Sequence, residues 1–326
     1  MKNILSKIFA KKEYLSCEWL ENGIHFSHEG IEHCPMYAHR EEEYSAISPI
    51  TVDNKYDFKD FYNKKIEAKE KHRKGELSPF CNGCFLLENK AWDKCFKITK
   101  MAISTNTKCN CNCIYCYTHA DKEKFNSKPD IPIYDYLKNL VKKKQISKDC
   151  KIEFGGGEPV ICSEFEDIMN LFINNNFKSI KIHSSGIQYS SAIEKALKKD
   201  ICNLIISPDS GDSQIYLKIK NVDKFDEVWK NIEKYTKAQN ALKNMVKVKY
   251  VLLFGINDSK NVIDEFFNKI KETNVKHILI DTDMNWYQAN KENKDTITNL
   301  FKKLKYMENS AKKMGIEYGH NSVICC

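Results

Sequence analysis

Six times from Phe96 onward, a short β-branched or aliphatic run is followed by a longer stretch with apolar residues at helical spacing. That alternation constrains the fold more than any other feature, because it is the pattern of parallel strands joined by crossover helices. The runs read as strands at Ile98–Ser104, Lys151–Phe154, Ser179–His183, Asn203–Ser207, Val246–Phe254 and His277–Asp281. The stretches read as helices at Ile133–Lys144, Glu164–Asn175, Ser191–Lys199, Lys224–Gln239, Lys260–Thr273 and Lys291–Met314. The expected class is α/β, and the alternation by itself allows an open doubly wound sheet as well as an incomplete barrel. In a β/α barrel, chemistry gathers at the C-terminal ends of the strands. Gly156, Gly157 and Glu158, then Ser184 and Ser185, then Ser207, Asp209 and Ser210 follow successive strands and are therefore candidates.

A chain of 326 residues with 42% hydrophobic content can bury a full core with an appendage. No run approaches the eighteen or so apolar residues of a membrane span, and the N-terminal apolar run is too short for a secretion signal, so the expected location is cytoplasmic. The net charge of +8 comes from lysine, since Arg40 and Arg73 are the two arginines; nucleic-acid readers lean on arginine forks, and a nucleic-acid partner is not expected. Fourteen cysteines in a chain without an export signal point to metal binding under reducing conditions.

Cys109, Cys113 and Cys116 stand in the order C-x3-C-x2-C. Three thiolates so placed can hold three corners of an iron-sulfur cluster and leave the fourth iron open. Cys111 lies inside the same run, so zinc or a closed cluster is the competing reading. Downstream, Phe154-Gly155-Gly156-Gly157-Glu158-Pro159 follows a short strand. Glycines allow close approach of backbone to a ligand, and Glu158 offers a carboxylate to an ammonium group; a flexible turn is the plainer alternative.

These two motifs in this order resemble the radical S-adenosylmethionine (radical SAM) enzymes, whose cysteine triad carries an aromatic residue before its last cysteine, here Tyr115. The resemblance implies a partial (β/α)6 TIM-like barrel and a SAM-binding 4Fe-4S cluster on Cys109, Cys113 and Cys116. It further implies a SAM amino group held at Gly156, Gly157 and Glu158, with Tyr115 and Ser185 also binding the cofactor, and an external one-electron reductant of flavodoxin or ferredoxin type. By the same analogy Ser207 and Asp209 hold the ribose, although the string S-P-D-S-G also reads as a turn and helix cap, and Gly255 admits the adenine.

The N-terminal residues 1–95 have weaker periodicity and carry Cys17, Cys34 and the pair Cys81 and Cys84, with Gly23 and Gly30 in a hairpin-like segment and a charged helix from Phe58 to Lys74. Two separated cysteines and a C-x2-C can converge as four ligands. Their order is similar to the auxiliary-cluster modules called SPASM and twitch, which usually follow the barrel rather than precede it. An auxiliary 4Fe-4S cluster, or zinc, is the expectation for 1–95, with the barrel in 96–326. Cys95 is a spare ligand or a buried hydrophobe. Cys325 and Cys326 are candidate hydrogen-atom donors, Trp286 and Tyr287 candidate pocket walls, while His72 reads as solvated and His119 and Tyr117 as loop lining.

The resulting expectation is an enzyme that cleaves SAM reductively and abstracts hydrogen from a peptide or carbohydrate, for oxidation, epimerisation or crosslinking. A glycyl-radical activase and a metal-stabilised binding protein are the alternatives.

Overall fold

The computed structural model describes residues 13–28, 30–35, 58–78, 81–92, 97–116, 132–241 and 243–320. Cys95, Tyr117, His119, Cys325 and Cys326 lie outside the described residues. The chain forms two compact units, Met1–Thr105 with Ile131–Ile152 and Asn106–Asp130 with Glu153–Cys326.

The first unit runs β1 (Tyr14–Ser16), α1 (Glu18–Asn22), β2 (Gly23–Ser27), β3 (Gly30–Glu32), α2 (Phe58–Arg73), β4 (Glu88–Lys90), β5 (Ile98–Ser104) and α3 (Tyr134–Lys142), and β6 (Ile146–Phe154) leads out of it. β2 pairs parallel with β5 and antiparallel with β3, so the hairpin-like segment read around Gly23 and Gly30 is a strand pair. β1 and β4 form a separate antiparallel ribbon. α2 is held to this framework from the inside. Lys65 reaches the carbonyls of Trp19 and Gly23, and Lys69 pairs with Glu21 at 2.8 Å. Gly23 is required there, since a Cβ would sit 2.5 Å from the Trp19 ring.

The second unit continues with α4 (Phe165–Asn174), β7 (Ser179–Ser184), α5 (Ser191–Lys198), β8 (Cys202–Ile206), α6 (Ser213–Lys220), α7 (Phe225–Ala238), β9 (Val246–Leu252), α8 (Lys260–Glu272), β10 (His277–Thr282), α9 (Met284–Asn290), α10 (Lys294–Lys313) and β11 (Glu317–His320). β7 to β11 pair in chain order, all parallel. This is the α/β, mostly parallel architecture of a partial TIM-like barrel, with a cysteine-rich N-terminal region. Helix starts are set by side-chain caps. Ser190, Asp212, Ser259 and Asn293 each accept a hydrogen bond from the first turn of α5, α6, α8 and α10, a device contributing about 1 kcal/mol apiece.

Residues paired across neighbouring parallel strands share a face. One face carries Ile182, Leu204, Val246, Val248 and Ile278, all buried. Helices cover that face, with Phe154 against Phe165 and Phe172 of α4 and Tyr250 against Phe266 of α8. A buried phenylalanine contributes about 1.5–3 kcal/mol, several times an exposed helical charge pair, so these aromatics fix how the helices lie. The opposite face carries Lys181, His183, Asn203, Lys247, Lys249 and Asp281.

The structure departs from the sequence expectation at particular points. β6 begins at Ile146, ahead of Lys151, because Ser147 to Asp149 interrupt the apolar pattern without interrupting the strand. β9 stops at Leu252, where Asn257 accepts from the Leu253 amide and turns the chain. α6 follows directly on the S-P-D-S-G turn, over residues to which the sequence reading assigned no element.

Candidate active site

The cysteine loop of the second unit is clamped on two sides. On one side, Gly157 donates to the Asn106 carbonyl at 2.8 Å, Glu158 to the Lys108 carbonyl at 2.8 Å, and the Asn106 side chain to the Glu158 carbonyl at 2.9 Å. The approach is so close that a Cβ on Gly157 would lie 2.2 Å from the Lys108 carbonyl oxygen, which only glycine avoids. On the other side, the amides of Asn112 and Ile114 donate to the carbonyls of Lys220 and Ile219 at the end of α6, at 2.8 and 3.0 Å. The cysteine motif and the glycine-glycine-glutamate motif, about forty residues apart in sequence, are thus joined through main chain.

Within the loop, the Cys111 thiol is buried and hydrogen-bonds both Cys109 and Cys113. Its donation is the largest influence on both neighbours. It lowers the Cys109 pKa, and it brings Cys113 down to about 6 against the opposing effect of burial, with Lys220 assisting. Cys111 itself is raised by the same bonds and by burial. The loop therefore favours thiolates at 109 and 113 with a thiol between them.

Glu158 is 2% exposed, and burial raises its pKa against hydrogen bonds from Ser185, Ser184 and Val160. Its oxygens accept from the Ser185 amide at 2.5 Å, the Ser184 hydroxyl at 2.9 Å and the Val160 amide at 3.2 Å, and it makes no ion pair among the described residues. Ser185 also donates to the Asn110 side chain at 2.9 Å, tying this corner to the cysteine loop.

Asp209 is fully buried and faces the protein. One oxygen accepts from the Val251 amide at 2.7 Å; the other receives the Tyr115 hydroxyl at 2.5 Å and the Lys220 ammonium. Lys220 also donates to the Tyr115 hydroxyl at 2.9 Å. Burial works against the Lys220 charge, yet Asp209, Tyr115 and Cys113 raise its pKa well above the ordinary value, so it is an ammonium. Lys220 carried no signal in the sequence, where it is one lysine among many. Ser207, by contrast, has no side-chain hydrogen bond among the described residues and stays partly accessible. Gly255 has φ +73 with open space where a Cβ would be, so the turn rather than close packing calls for glycine. Trp286 stacks on Phe254 at 3.9 Å, and Tyr287 begins no comparable ring contact among the described residues.

The family model described as the radical SAM superfamily matches residues 103–283, more than half the chain and the whole of this clamp. The chain belongs to the radical SAM superfamily. Among curated proteins it is similar to the GTP 3′,8-cyclase of Clostridium botulinum, 28% identical over 144 residues that make up 44% of each chain. It is also similar to the GTP 3′,8-cyclase of Haemophilus influenzae, 26% identical over 132 residues, 40% of this chain and 38% of that one. The chain spans less than half the length of these relatives. Among solved structures, Streptococcus suis SuiB bound to the precursor peptide SuiA superposes with a TM-score of 0.51 at 12% identity, covering 81% of this chain and 62% of SuiB. That likeness is one of fold.

Radical SAM enzymes use a 4Fe-4S cluster and SAM, and the residues present fit both groups. Two thiolate-favouring cysteines lie on a rigid loop, and a buried carboxylate without a cationic partner among the described residues suits the SAM ammonium. Among the described residues no three Cys, His, Asp or Glu side chains gather tightly enough for a single metal ion; a cluster holds its thiolates at separate corners and does not demand such convergence.

In the first unit, Cys17, Cys34, Cys81 and Cys84 all line one enclosed cavity, with Leu20 and His33. The Cys17 sulfur accepts from the Leu20 amide at 3.4 Å, and burial raises its pKa. Cys81 and Cys84 are brought to the same side by a turn in which the Cys84 amide donates to the Cys81 carbonyl at 3.0 Å, with Gly83 at φ +69. His33 is buried with its Nδ1 unpartnered, an orphaned polar atom at a cavity of four thiols. His72, read from sequence as solvated, is instead buried and bonded to the Leu15 carbonyl at 3.0 Å. Among the described residues no helix is long and apolar enough to cross a membrane.

Proposed function

We propose that this radical SAM enzyme abstracts a hydrogen atom from a peptide or carbohydrate substrate. Cys109, Cys113 and Cys116 hold the cluster, Gly156, Gly157, Glu158 and Ser185 hold the amino end of SAM, and Ser207 meets the ribose. Bound there and reduced by a flavodoxin- or ferredoxin-type donor, the cluster and SAM supply a 5′-deoxyadenosyl radical for that abstraction. Glu158 fixes the SAM ammonium by a charge-assisted hydrogen bond, Gly157 lets the cysteine loop come within bonding distance, and Asp209 with Lys220 anchors the loop through Tyr115 rather than touching a sugar. Gly255 keeps its place near the adenine by shaping the turn after β9.

The observation that carries this reading is the main-chain clamp between the cysteine loop and Glu158, which joins the two motifs into one site. An auxiliary cluster on Cys17, Cys34, Cys81 and Cys84 completes the proposal, supported by their shared cavity and the orphaned His33 nitrogen.

A nucleotide substrate is the second reading, favoured by the activity for which the curated relatives are named and by Lys181, Lys247 and Lys249 on the sheet face opposite the helices. Anaerobic reconstitution tests both. The chain is expected to bind about eight irons for two clusters and to release 5′-deoxyadenosine from SAM under reduction. Cys113→Ala is expected to drop that release to background while retaining about four irons. Release unchanged in Cys113→Ala defeats the assignment. GTP that is consumed, with no peptide turnover, selects the nucleotide reading.

A further inference from the structure

The charged sheet face of the second unit carries Lys181 and His183 on β7, Lys247 and Lys249 on β9, His277 and Asp281 on β10 and Glu317 on β11, with Glu153 of β6 beside β7. Most of these groups answer one another. Glu153 takes Lys181 at 3.1 Å and His183 at 2.9 Å, Asp281 takes Lys249 at 3.3 Å, and Glu317 takes His277 at 3.3 Å. Lys247 is the exception, with no hydrogen bond or ion pair among the described residues.

Its surroundings do not favour a bare ammonium. Burial lowers the Lys247 pKa and the charge of Lys181 adds to the fall, while the Glu317 carboxylate opposes both without reversing them. Lys247 in turn adds to the effect of burial in lowering His277. A negative group placed between Lys181 and Lys247 would relieve this repulsion. The register leaves a place for it. Ile205 of β8 stands opposite Lys247 on one side and His183 on the other, and Asn203 stands opposite Lys181, so the two lysines flank the β8 stretch Asn203 to Ile205. The Lys181 side chain is 43% exposed, so the face reaches solvent there.

Val251, whose amide holds Asp209, lies four residues further along β9, about 13 Å away at the strand rise. Lys247 therefore sits toward the opposite end of the strands from the Cys109–Cys116 loop. A ligand that meets both ends is extended, and the part near Lys247 is remote from the cleavage of SAM. Lysine presents a compact point charge, which suits the oxygens of a phosphate or a carboxylate.

Resting on the substrate reading given above and deepening it, we propose that Lys247, with Lys181 across β8, anchors an oxyanion of the substrate, a phosphate or a carboxylate, at the end of this sheet face remote from the cysteine loop. The pair selects an extended substrate with a negative group at one end, and forms or breaks no bond.

Isothermal titration calorimetry of the anaerobically reconstituted full chain tests the site, with inorganic pyrophosphate and glutarate as separate probes. Wild type is expected to bind at least one of them, and the tighter binder tells phosphate from carboxylate. Lys247→Met is expected to weaken that binding about tenfold, whereas Lys247→Arg, which keeps the charge, stays within about threefold of wild type. Added sodium chloride should weaken binding to wild type more than the residual binding to Lys247→Met. If circular dichroism shows Lys247→Met unfolded, Lys181→Met decides in its place, with an expected loss of about threefold. A wild-type chain that binds neither probe, or a folded lysine variant that binds as wild type does, overturns the proposal. A reduced wild-type chain that binds a probe through Lys247 but releases no 5′-deoxyadenosine from SAM overturns instead the enzyme reading beneath it.

Discussion

In the loop Cys109–Cys116 the nearest buried cation, Lys220, is tied to the carboxylate of Asp209 and the hydroxyl of Tyr115. In the N-terminal unit the buried Lys65 reaches main-chain carbonyls beside Cys17. The first arrangement answers its charge within the protein and locks the loop by main-chain bonds at both ends. The second gathers four cysteines and an orphaned histidine nitrogen around one cavity, from the start of a short helix, the end of a hairpin and a turn. The difference teaches that the Cys109–Cys116 loop is held in place by main-chain and side-chain bonds of its own, whereas the four N-terminal cysteines are gathered around a cavity from separate segments.

The sharpest way to break this comparison is to remove Lys220. Lys220→Met leaves the Asp209 carboxylate buried and unpaired, and the expected loss is about 3–5 kcal/mol in denaturant unfolding. Lys220→Met with Asp209→Asn should recover part of that loss, because the stranded charge is gone. A single variant that unfolds within about 1 kcal/mol of wild type would show that the loop is not held by this pair.

A second, smaller contrast lies in the apo protein's thiols. Cys113 has a pKa brought down to about 6 from 9.0, whereas burial raises Cys17. At pH 7 Cys113 is mostly thiolate, but a low-pKa thiolate is also a weaker nucleophile, so iodoacetamide should modify it only about fourfold faster than an ordinary cysteine. Its reactivity should fall as pH drops through about 6, while Cys17 stays slow across the range. Mass-spectrometric mapping that finds Cys17 labelled first reverses the ranking of the two sites.

The strand and helix alternation was legible because it is written in local periodicity. Ile98–Ser104 is identical in sequence reading and structure, and the helices differ by a few residues at their ends. Gly157 was legible for a related reason, since a close approach of backbone, here to the Lys108 carbonyl, admits little but glycine. Asp209 was placed at the site but facing a sugar, because a turn sequence does not disclose which way a carboxylate points. Lys220 and Lys65 were invisible. A buried lysine on a helix has the same letter and nearly the same spacing as a solvated one, and only the partners brought from distant segments distinguish them. One signal was present and unused. The runs Lys151-Ile152-Glu153-Phe154 and Lys247-Val248-Lys249-Tyr250 alternate charged with apolar residues, whereas parallel strands covered on both faces are usually apolar throughout.

That alternation gives the mildest of the expected effects. Glu153 lies on the charged face, with His183 at 2.9 Å and Lys181 at 3.1 Å. Burial raises its pKa, but the hydrogen bond from His183 and the charge of Lys181 outweigh it and bring the group down to about 2 from 4.5. A carboxylate depressed on folding stabilises the protein above its unfolded pKa and loses that contribution as pH falls from about 4.5 to about 2. The side chain is 44% exposed, so solvent screening keeps the contribution below about 1 kcal/mol. Glu153→Gln should therefore unfold at the same denaturant concentration as wild type near pH 2, and slightly earlier than wild type at pH 6. Parallel curves over the whole range would mean that this face gains nothing from the pair, and that its charges are set out for a ligand rather than for one another.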